Sequence, residues 1–131
     1  MAIANTSYVR NVLLLDGLVS GAAGVVMAAG ASFLAPFLNI PQPLLFWAGL
    51  VLLPWCLALL YLSRRDAVPR LAMIDVLAIN IFWVAASFGL MIAGVVEPNL
   101  LGIGFVGAQA LTVALFAILQ LGILRASPAA A

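Results

Sequence analysis

The fold is decided by the stretch from Gly17 to Ser63, which reads GLVSGAAGVVMAAGASFLAPFLNIPQPLLFWAGLVLLPWCLALLYLS and contains no charged residue. A membrane-spanning helix needs about 20 apolar residues, so this stretch is too long for one span and must turn back at least once. Two prolines and two amide side chains between Asn39 and Pro43 are typical of such a turn. The stretch therefore predicts two consecutive spans joined by a hairpin.

The rest of the chain adds two more spans. The charged segment from Ser63 to Arg70 is interpreted as a connecting loop, and Glu97 followed by Pro98 ends the next apolar run. We expect an all-α membrane protein, with four transmembrane helices in an up-down antiparallel bundle joined by short hairpins and forming one domain. The predicted spans are residues 9–34, 44–62, 69–96 and 100–124, and residues 126–131 are expected to form a flexible tail.

The composition supports a membrane protein and excludes several kinds of chemistry. Of the 131 residues, 67% are hydrophobic and 7% are charged, whereas about a quarter of a soluble domain is charged. Because histidine and lysine are absent, imidazole-ligated haem or zinc and a lysine Schiff base are ruled out, and one cysteine cannot form an internal disulfide. A net charge of +1 argues against a nucleic-acid partner. We predict no cofactor, metal site or catalytic residue, and an enzyme is the least supported class.

The arginines predict the orientation in the membrane. Threading four spans places all five arginines on one side, whereas the opposite loops carry only Glu97. Positive residues are retained in the cytoplasm, so both termini are expected there, in a bacterial inner membrane. The alternative is a cleaved signal peptide, because Arg10 precedes an apolar run that ends in small residues. Asp16 within that run favours a retained span.

Three polar side chains from three spans are predicted at one depth near the cytoplasmic boundary, namely Asp16, Asp75 and Gln120. Ionisable groups are costly inside a membrane, so they are candidates for function. One interpretation is a proton- or cation-responsive site, for which Asp16 is the better candidate because small residues flank it. The favoured alternative is that the carboxylates pair with Arg64 or Arg65, or cap helix ends.

A second polar group is predicted near the membrane midplane. Asn80 and Gln109 are expected to meet and to form a hydrogen bond between two helices. Pro54 is expected to kink its helix beside Trp55, and Trp83 follows Asn80 by about one turn. We expect these five residues to converge on a small apolar pocket for a lipid tail, a quinone-like molecule or a pigment. An aromatic core without a ligand is the favoured alternative.

Small residues line two neighbouring faces of the first span at close spacing, one with Gly17 and Gly21 and the other with Ser20, Gly24 and Ala28. The fourth span begins with a similar pattern at Gly102, Gly104, Gly107 and Ala108. Faces of small residues let helix backbones approach closely. We expect the first and fourth spans to be in tight contact within the bundle, with contact between two copies as the alternative.

Four stretches, LLLDGLVSGAAG, GLVLLPW, IDVLAINIFWVAASF and GFVGAQALTVALF, together resemble compact bacterial four-span membrane proteins of unassigned function. The resemblance covers most of the chain and lies in the layout and in the Asp, Asn-x-x-Trp and Gln positions. It implies a fold and a membrane location, but no activity. The chain also resembles the small multidrug transporters in span number and in the acid of the first span, Asp16, while the rest of their pattern is absent.

The leading hypothesis is a small non-enzymatic protein of the lipid bilayer. It would bind a hydrophobic small molecule or lipid within the bundle, or serve as an accessory subunit of a larger membrane complex. Its protein partner would be a second copy of the chain, in a homo-oligomer, or the other subunits of that complex. The alternative is a small proton-coupled transporter that uses an intramembrane carboxylate.

Overall fold

The computed structural model describes residues 2–127. As predicted, the fold is all-α, with four long apolar helices that pack antiparallel in two pairs and are joined by short links. Each of the four is long and apolar enough to cross a membrane, which makes the chain a multi-pass membrane protein. The elements are β1 (Ala2–Ala4), α1 (Ser7–Ala29), α2 (Ala31–Leu38), α3 (Gln42–Ser63), β2 (Ala67–Pro69), α4 (Arg70–Ile92) and α5 (Leu100–Ala126).

The region of the first predicted span is divided between two helices. The break lies at Gly30, between α1 and α2. A Cβ atom at Gly30 would lie 2.6 Å from the carbonyl oxygen of Val26, so the close backbone approach at this break requires glycine. The short α2 ends at Asn39, which adopts the left-handed conformation with φ of 56°. Its backbone N–H donates to the carbonyl of Ala35.

A short antiparallel ladder joins the N-terminus to the loop between α3 and α4. Ile3 of β1 lies opposite Val68 of β2, and both side chains are buried. Asn5 then caps the end of α3, because its Nδ2 donates to the carbonyls of Ser63 at 3.0 Å and Arg65 at 2.6 Å. Strands of three residues carry too little alternation to be predicted from sequence. The ladder fixes the N-terminus and this loop at the same end of the bundle.

Glycines bring α1 and α3 into close contact. A Cβ atom at Gly24 of α1 would lie 2.8 Å from the carbonyl oxygen of Gly49 in α3, and one at Gly49 would lie 2.6 Å from the amide nitrogen of Ala28. The expectation that small residues join the first and fourth spans is therefore wrong. The complementary small residue lies on α3. On α5, Gly102 packs against the carbonyl of Leu38 in α2, whereas a Cβ atom at Gly104 or Gly107 would meet nothing within 4 Å.

The backbones of the two hairpins, α1/α3 and α4/α5, come closest along α5, which contacts α1 and α2. The backbones of α3 and α4 stay farther apart, but Leu59 of α3 belongs to the same buried hydrophobic cluster as Met73 and Val76 of α4. The space between α3 and α4 is therefore filled by side chains near the end that carries the ladder, and a cleft remains farther along the two helices. The end away from the ladder is joined by two amides: Asn39 Nδ2 donates to the carbonyl of Glu97 at 2.6 Å, and Asn99 Nδ2 donates to the carbonyl of Phe37 at 2.9 Å.

All five arginines lie at the end that carries the ladder. Arg10 Nε donates to the carbonyl of Ser63 at 3.2 Å, and Arg70 donates to the carbonyls of Leu124 at 3.1 Å and Ser127 at 3.0 Å. Each of these arginines therefore caps the last helix of its own hairpin, where carbonyls lack helical partners. That this end faces the cytoplasm stays a prediction from the distribution of positive charge.

Candidate functional site

A buried polar cluster, here called the Asp16 cluster, consists of Asp16, Ser20, Asn80 and Gln120. Asp16 is 1% exposed and Gln120 is 0% exposed. Asn80 Nδ2 and Gln120 Nε2 donate to Asp16 Oδ2 at 2.9 Å and 2.7 Å, and the Ser20 hydroxyl donates to Asp16 Oδ1 at 3.3 Å. Asn80 Nδ2 also donates to Gln120 Oε1 at 2.8 Å. The carboxylate thus receives three hydrogen bonds, all from uncharged groups.

Helix direction explains why these side chains meet. Asp16 and Asn80 lie nearly equally far from the starts of α1 and α4, roughly 14 and 15 Å along the axes at 1.5 Å per residue. Gln120 lies only about 9 Å from the end of α5 by the same measure. Side chains on a helix tilt toward its N-terminus, so those on α1 and α4 lean toward the arginine end and that of Gln120 leans away from it. The long Gln120 side chain therefore reaches the level of the other two.

The structure brings together two of the three side chains predicted for the inner layer. Asp16 and Gln120 are in contact, whereas Asp75 is exposed on the surface of α4. In the structure, Asp16 does not pair with an arginine that follows α3. Arg65 Nη1 donates instead to the hydroxyl of Tyr61 at 2.9 Å. Asp16 faces the interior of the bundle, so its partners are amides from α4 and α5 rather than an arginine.

A second polar cluster, here called the Trp83 cluster, joins α4 to α5. Trp83 Nε1 donates to Gln109 Oε1 at 2.6 Å, Gln109 Nε2 donates to the Ser87 hydroxyl at 3.0 Å, and that hydroxyl donates to the carbonyl of Trp83 at 2.7 Å. The predicted pairing of Gln109 with Asn80 is therefore wrong. Helix α5 extends over 27 residues. Gln109 therefore lies about 25 Å from the arginine end of α5, at the level of Ser87 rather than of Asn80.

A cleft of about 360 Å³ opens between α3 and α4 and is here called the central cleft. Pro54 and Trp55 of α3 line it, as do Asn80 and Trp83 of α4, so four of the five residues proposed for a pocket share one space. Ser20 of α1 also lines the cleft. The sequence contained a signal for Ser20, because it follows Asp16 by four residues and so lies on the same helix face.

A smaller space of about 220 Å³, here called the outer cleft, lies on the other side of Trp83. Gln109, the fifth proposed pocket residue, lines this space together with Ser87. Helix α3 is continuous from Gln42 to Ser63 across Pro54, and a kink at this proline stays a prediction. Both spaces follow from the separation of the two hairpins. Their other walls are apolar and include Met27, Leu45, Ala48, Phe105 and Val106 around the outer cleft.

Comparison with known proteins identifies no family, so the class of this protein rests on its four apolar helices. No family model matches the chain, and no curated protein or solved structure is significantly similar to it. Among residues 2–127, no group of three or more Asp, Glu, Cys or His side chains is placed to hold a metal ion. The chain is a small four-span membrane protein with two polar clusters and an open cleft inside its bundle.

Proposed function

We propose that this protein is a non-enzymatic binding protein that holds a hydrophobic small molecule in the central cleft. One observation carries the proposal: a cleft of about 360 Å³ lies between α3 and α4, and two tryptophans line it. Apolar clefts with a few well-placed polar groups are the usual form of small-molecule sites, and helix bundles often contain them.

The mouth of the central cleft is apolar and accessible from the membrane. Val51 and Ile79 line it and are 59% and 45% exposed. A molecule dissolved in the bilayer can therefore enter sideways without crossing a polar surface. An apolar molecule in the cleft makes dispersion contacts with its walls.

Polar groups at one end of the cleft give a bound molecule an orientation. Ser20 and Asn80 line the cleft and belong to the Asp16 cluster. Trp55 and Trp83 supply flat apolar surfaces beside them. The site therefore fits an amphipathic molecule, with its polar end near Asn80 and its apolar body between the tryptophans.

The binding test uses 1-neopentylnaphthalene as the probe and the purified protein in phosphatidylcholine nanodiscs, with empty nanodiscs as the reference. Ala58→Trp fills the central cleft, since Ala58 lines it. Leu57→Trp is the matched control, because Leu57 is 68% exposed on the same helix and does not line the cleft. We expect Ala58→Trp to weaken binding at least tenfold and Leu57→Trp to leave it unchanged. Equal binding by wild type and Ala58→Trp contradicts the proposal.

The accessory-subunit hypothesis is separated by native mass spectrometry of the protein extracted gently from its membrane. A binding protein retains a small molecule, which the Ala58→Trp variant loses. An accessory subunit retains other polypeptides in both forms. Retention of a polypeptide without any small molecule favours the accessory role over the binding role.

The second candidate function, a proton-coupled carrier, is favoured by a different observation. A carboxylate is enclosed in the membrane part with only uncharged partners, namely Ser20, Asn80 and Gln120, and intramembrane carboxylates often relay protons. The test is a pH jump applied to proteoliposomes on a solid-supported membrane. A carrier produces a transient current that is lost in Asp16→Asn and kept in Asp75→Asn. Absence of a current in the wild type rejects this candidate.

A further inference from the structure

We infer that the outer cleft is a second binding site, which holds the hydrocarbon chain of an uncharged single-chain lipid, a monoacylglycerol. This inference goes beyond the proposed function, because the outer cleft lies on the other side of Trp83 from the central cleft. Three observations carry it: the shape of the outer cleft, the hydrogen bonds of its polar side chains, and the charges at the end of the bundle where it opens.

The first observation is that the outer cleft is elongated and has buried walls. Along α4 it follows one helix face from Trp83 through Ala86 to Leu90, a distance of about 10 Å at 1.5 Å per residue. Ile40 and Leu45 also line it and are 4% and 2% exposed. Its volume of about 220 Å³ exceeds the roughly 150 Å³ of an apolar cavity that admits benzene. A long apolar space of this size suits a hydrocarbon chain.

The second observation is that the polar side chains of the outer cleft are already bonded to one another. Among the described residues that line it, these side chains are Trp83, Ser87 and Gln109. Trp83 Nε1 donates to Gln109 Oε1, and the Ser87 hydroxyl donates to the carbonyl of Trp83. Gln109 Nε2 donates both to the Ser87 hydroxyl and to the carbonyl of Val106.

These hydrogen bonds determine which part of a ligand the outer cleft accepts. Every N–H and O–H group on the three polar side chains is in use. An acceptor group of a ligand would therefore lose its hydrogen bonds to water without gaining a donor. The part of the ligand that lies inside the cleft is consequently a hydrocarbon.

The third observation is that the outer cleft continues into a polar notch at the end of the bundle away from the arginines. This space, here called the end notch, is lined by residues 39–41 and 94–97. Ile40 and Val96 line both the end notch and the outer cleft. A lipid whose chain lies in the outer cleft therefore places its head group in the end notch, beside Asn39 and Glu97.

The charges at this end select the head group. Glu97 is exposed and is the charged side chain among the described residues that line the end notch. All five arginines lie at the opposite end of the bundle, and the sequence contains no lysine. A phosphate group would therefore find no cation to pair with and would be repelled by the Glu97 carboxylate. Hydroxyl groups can donate to that carboxylate, so an uncharged glycerol head fits the end notch better than the phosphate of a phospholipid.

The test is photo-crosslinking with a monododecanoylglycerol that carries a diazirine near the methyl end of its chain. The purified protein in phosphatidylcholine nanodiscs is irradiated with this probe, and the labelled residues are identified by mass spectrometry. We expect label on residues that line the outer cleft, and we expect unlabelled monododecanoylglycerol to displace the probe. Its phosphate ester, a lysophosphatidic acid with the same chain, should compete at least threefold more weakly. This difference should become smaller in Glu97→Gln, which removes the negative charge.

Two neighbouring alanines provide a matched pair of variants. Ala86→Trp fills the outer cleft, since Ala86 lines it, whereas Ala85 is exposed on the same helix and does not line the cleft. We expect Ala86→Trp to reduce the label in the outer cleft at least tenfold and Ala85→Trp to leave it unchanged. Folding is checked by size-exclusion chromatography in detergent. If Ala86→Trp is not recovered in a folded form, Ala48→Trp fills the outer cleft from α3.

The outcomes separate this site from the surrounding bilayer and from the central cleft. Label that unlabelled monododecanoylglycerol does not displace would come from the lipid around the protein and would overturn the inference, as would equal labelling of wild type and Ala86→Trp. Equal competition by the phosphate ester would overturn the uncharged head group. Ala58→Trp, which fills the central cleft, should leave the label in the outer cleft unchanged, so the inference and the proposed function fail independently.

Discussion

The two hairpins share one topology but are held together by different contacts. In the α1/α3 hairpin, the backbones approach through glycine, so that a Cβ atom at Gly49 would lie within 3 Å of two backbone atoms of α1. In the α4/α5 hairpin, Trp83, Ser87 and Gln109 join the helices by hydrogen bonds. Close packing of small residues and hydrogen bonds between helices are the two ways in which membrane helices associate without a hydrophobic driving force.

The ends of the two hairpins are alike, so the difference lies inside the membrane. Arg10 and Arg70 stand near the start of the first helix in each hairpin, and each donates to carbonyls at the end of its partner helix. Within the bundle, the glycine-packed α1/α3 hairpin contributes Asp16 and Ser20 to the Asp16 cluster. The comparison indicates that the Asp16 cluster and the central cleft lie between the glycine-packed α1/α3 hairpin and the hydrogen-bonded α4/α5 hairpin.

The largest expected effect breaks the glycine-packed hairpin. In Gly49→Leu, the new Cβ would lie 2.6 Å from the amide nitrogen of Ala28 and 2.8 Å from the carbonyl oxygen of Gly24. Both atoms belong to the backbone and cannot move as a flexible side chain does. We expect the free energy of unfolding in bicelles to fall by about 3 kcal/mol, the upper end of the range for overpacking.

The control for this change lies on α5. A Cβ atom at Gly104 would meet nothing within 4 Å, and the residue is exposed. Gly104→Leu should therefore change the free energy of unfolding by less than about 0.5 kcal/mol. A large loss in Gly104→Leu would show that this face of α5 is covered in the folded protein, and a small loss in Gly49→Leu would contradict the glycine-packed interface.

The sequence predicted the helices well because their determinants are local. Apolar runs of spanning length, the prolines and amides near Asn39, and the cluster of charges after Ser63 each act within a few residues. Four spans in an antiparallel bundle followed from these signals, as the structure has it. The break at Gly30 escaped prediction because a glycine inside an apolar run is common in membrane helices and carries no distinctive pattern.

The pairing of side chains could not be predicted, because it depends on helix rotation and on the level of one helix relative to another. Asp16 and Asp75 lie at similar depths in sequence, yet the first is buried and the second is exposed. A polar residue placed one or two turns higher meets a different partner, so Asn80 pairs with Asp16 and Gln109 pairs with Trp83. Counting residues gives depth to within about a turn, which is too coarse for hydrogen bonds.

The second expected effect removes the link between the hairpins. Asn80→Leu deprives the Asp16 carboxylate of a donor and leaves Gln120 Oε1 without its partner at 2.8 Å. Because both groups stay buried, we expect a loss of about 2 kcal/mol in the free energy of unfolding. Asn80→Asp is the informative companion, since a second carboxylate beside Asp16 should destabilise at least as much. Stability of Asn80→Leu equal to wild type would contradict the Asp16 cluster.

The third expected effect measures the polar contact within the α4/α5 hairpin. A double-mutant cycle of Trp83→Phe and Gln109→Leu isolates the hydrogen bond from Trp83 Nε1 to Gln109 Oε1. We expect a coupling energy of about 1 kcal/mol, typical of hydrogen bonds between membrane helices. The control cycle pairs Trp83→Phe with Gln120→Leu, which belong to different clusters and should be additive. Coupling in the control alone would mean that the two clusters are assigned to the wrong partners.

The smallest expected effect concerns Asp75, the carboxylate that the sequence predicts at the same depth as Asp16. It lies on the exposed face of α4, about 7 Å along the helix from its start. Its side chain is near enough to the arginine end for its charge to reach the interfacial region, as charged side chains near helix ends do. Asp75→Asn should therefore change the free energy of unfolding by less than about 0.5 kcal/mol, the range for exposed sites. The same variant should leave the binding of 1-neopentylnaphthalene in the central cleft unchanged, because Asp75 does not line the cleft. If Asp75→Asn instead lowers stability or abolishes that binding while Asp16→Asn does not, the roles of the two carboxylates are reversed, and the site lies on the outer face of α4 rather than between the hairpins.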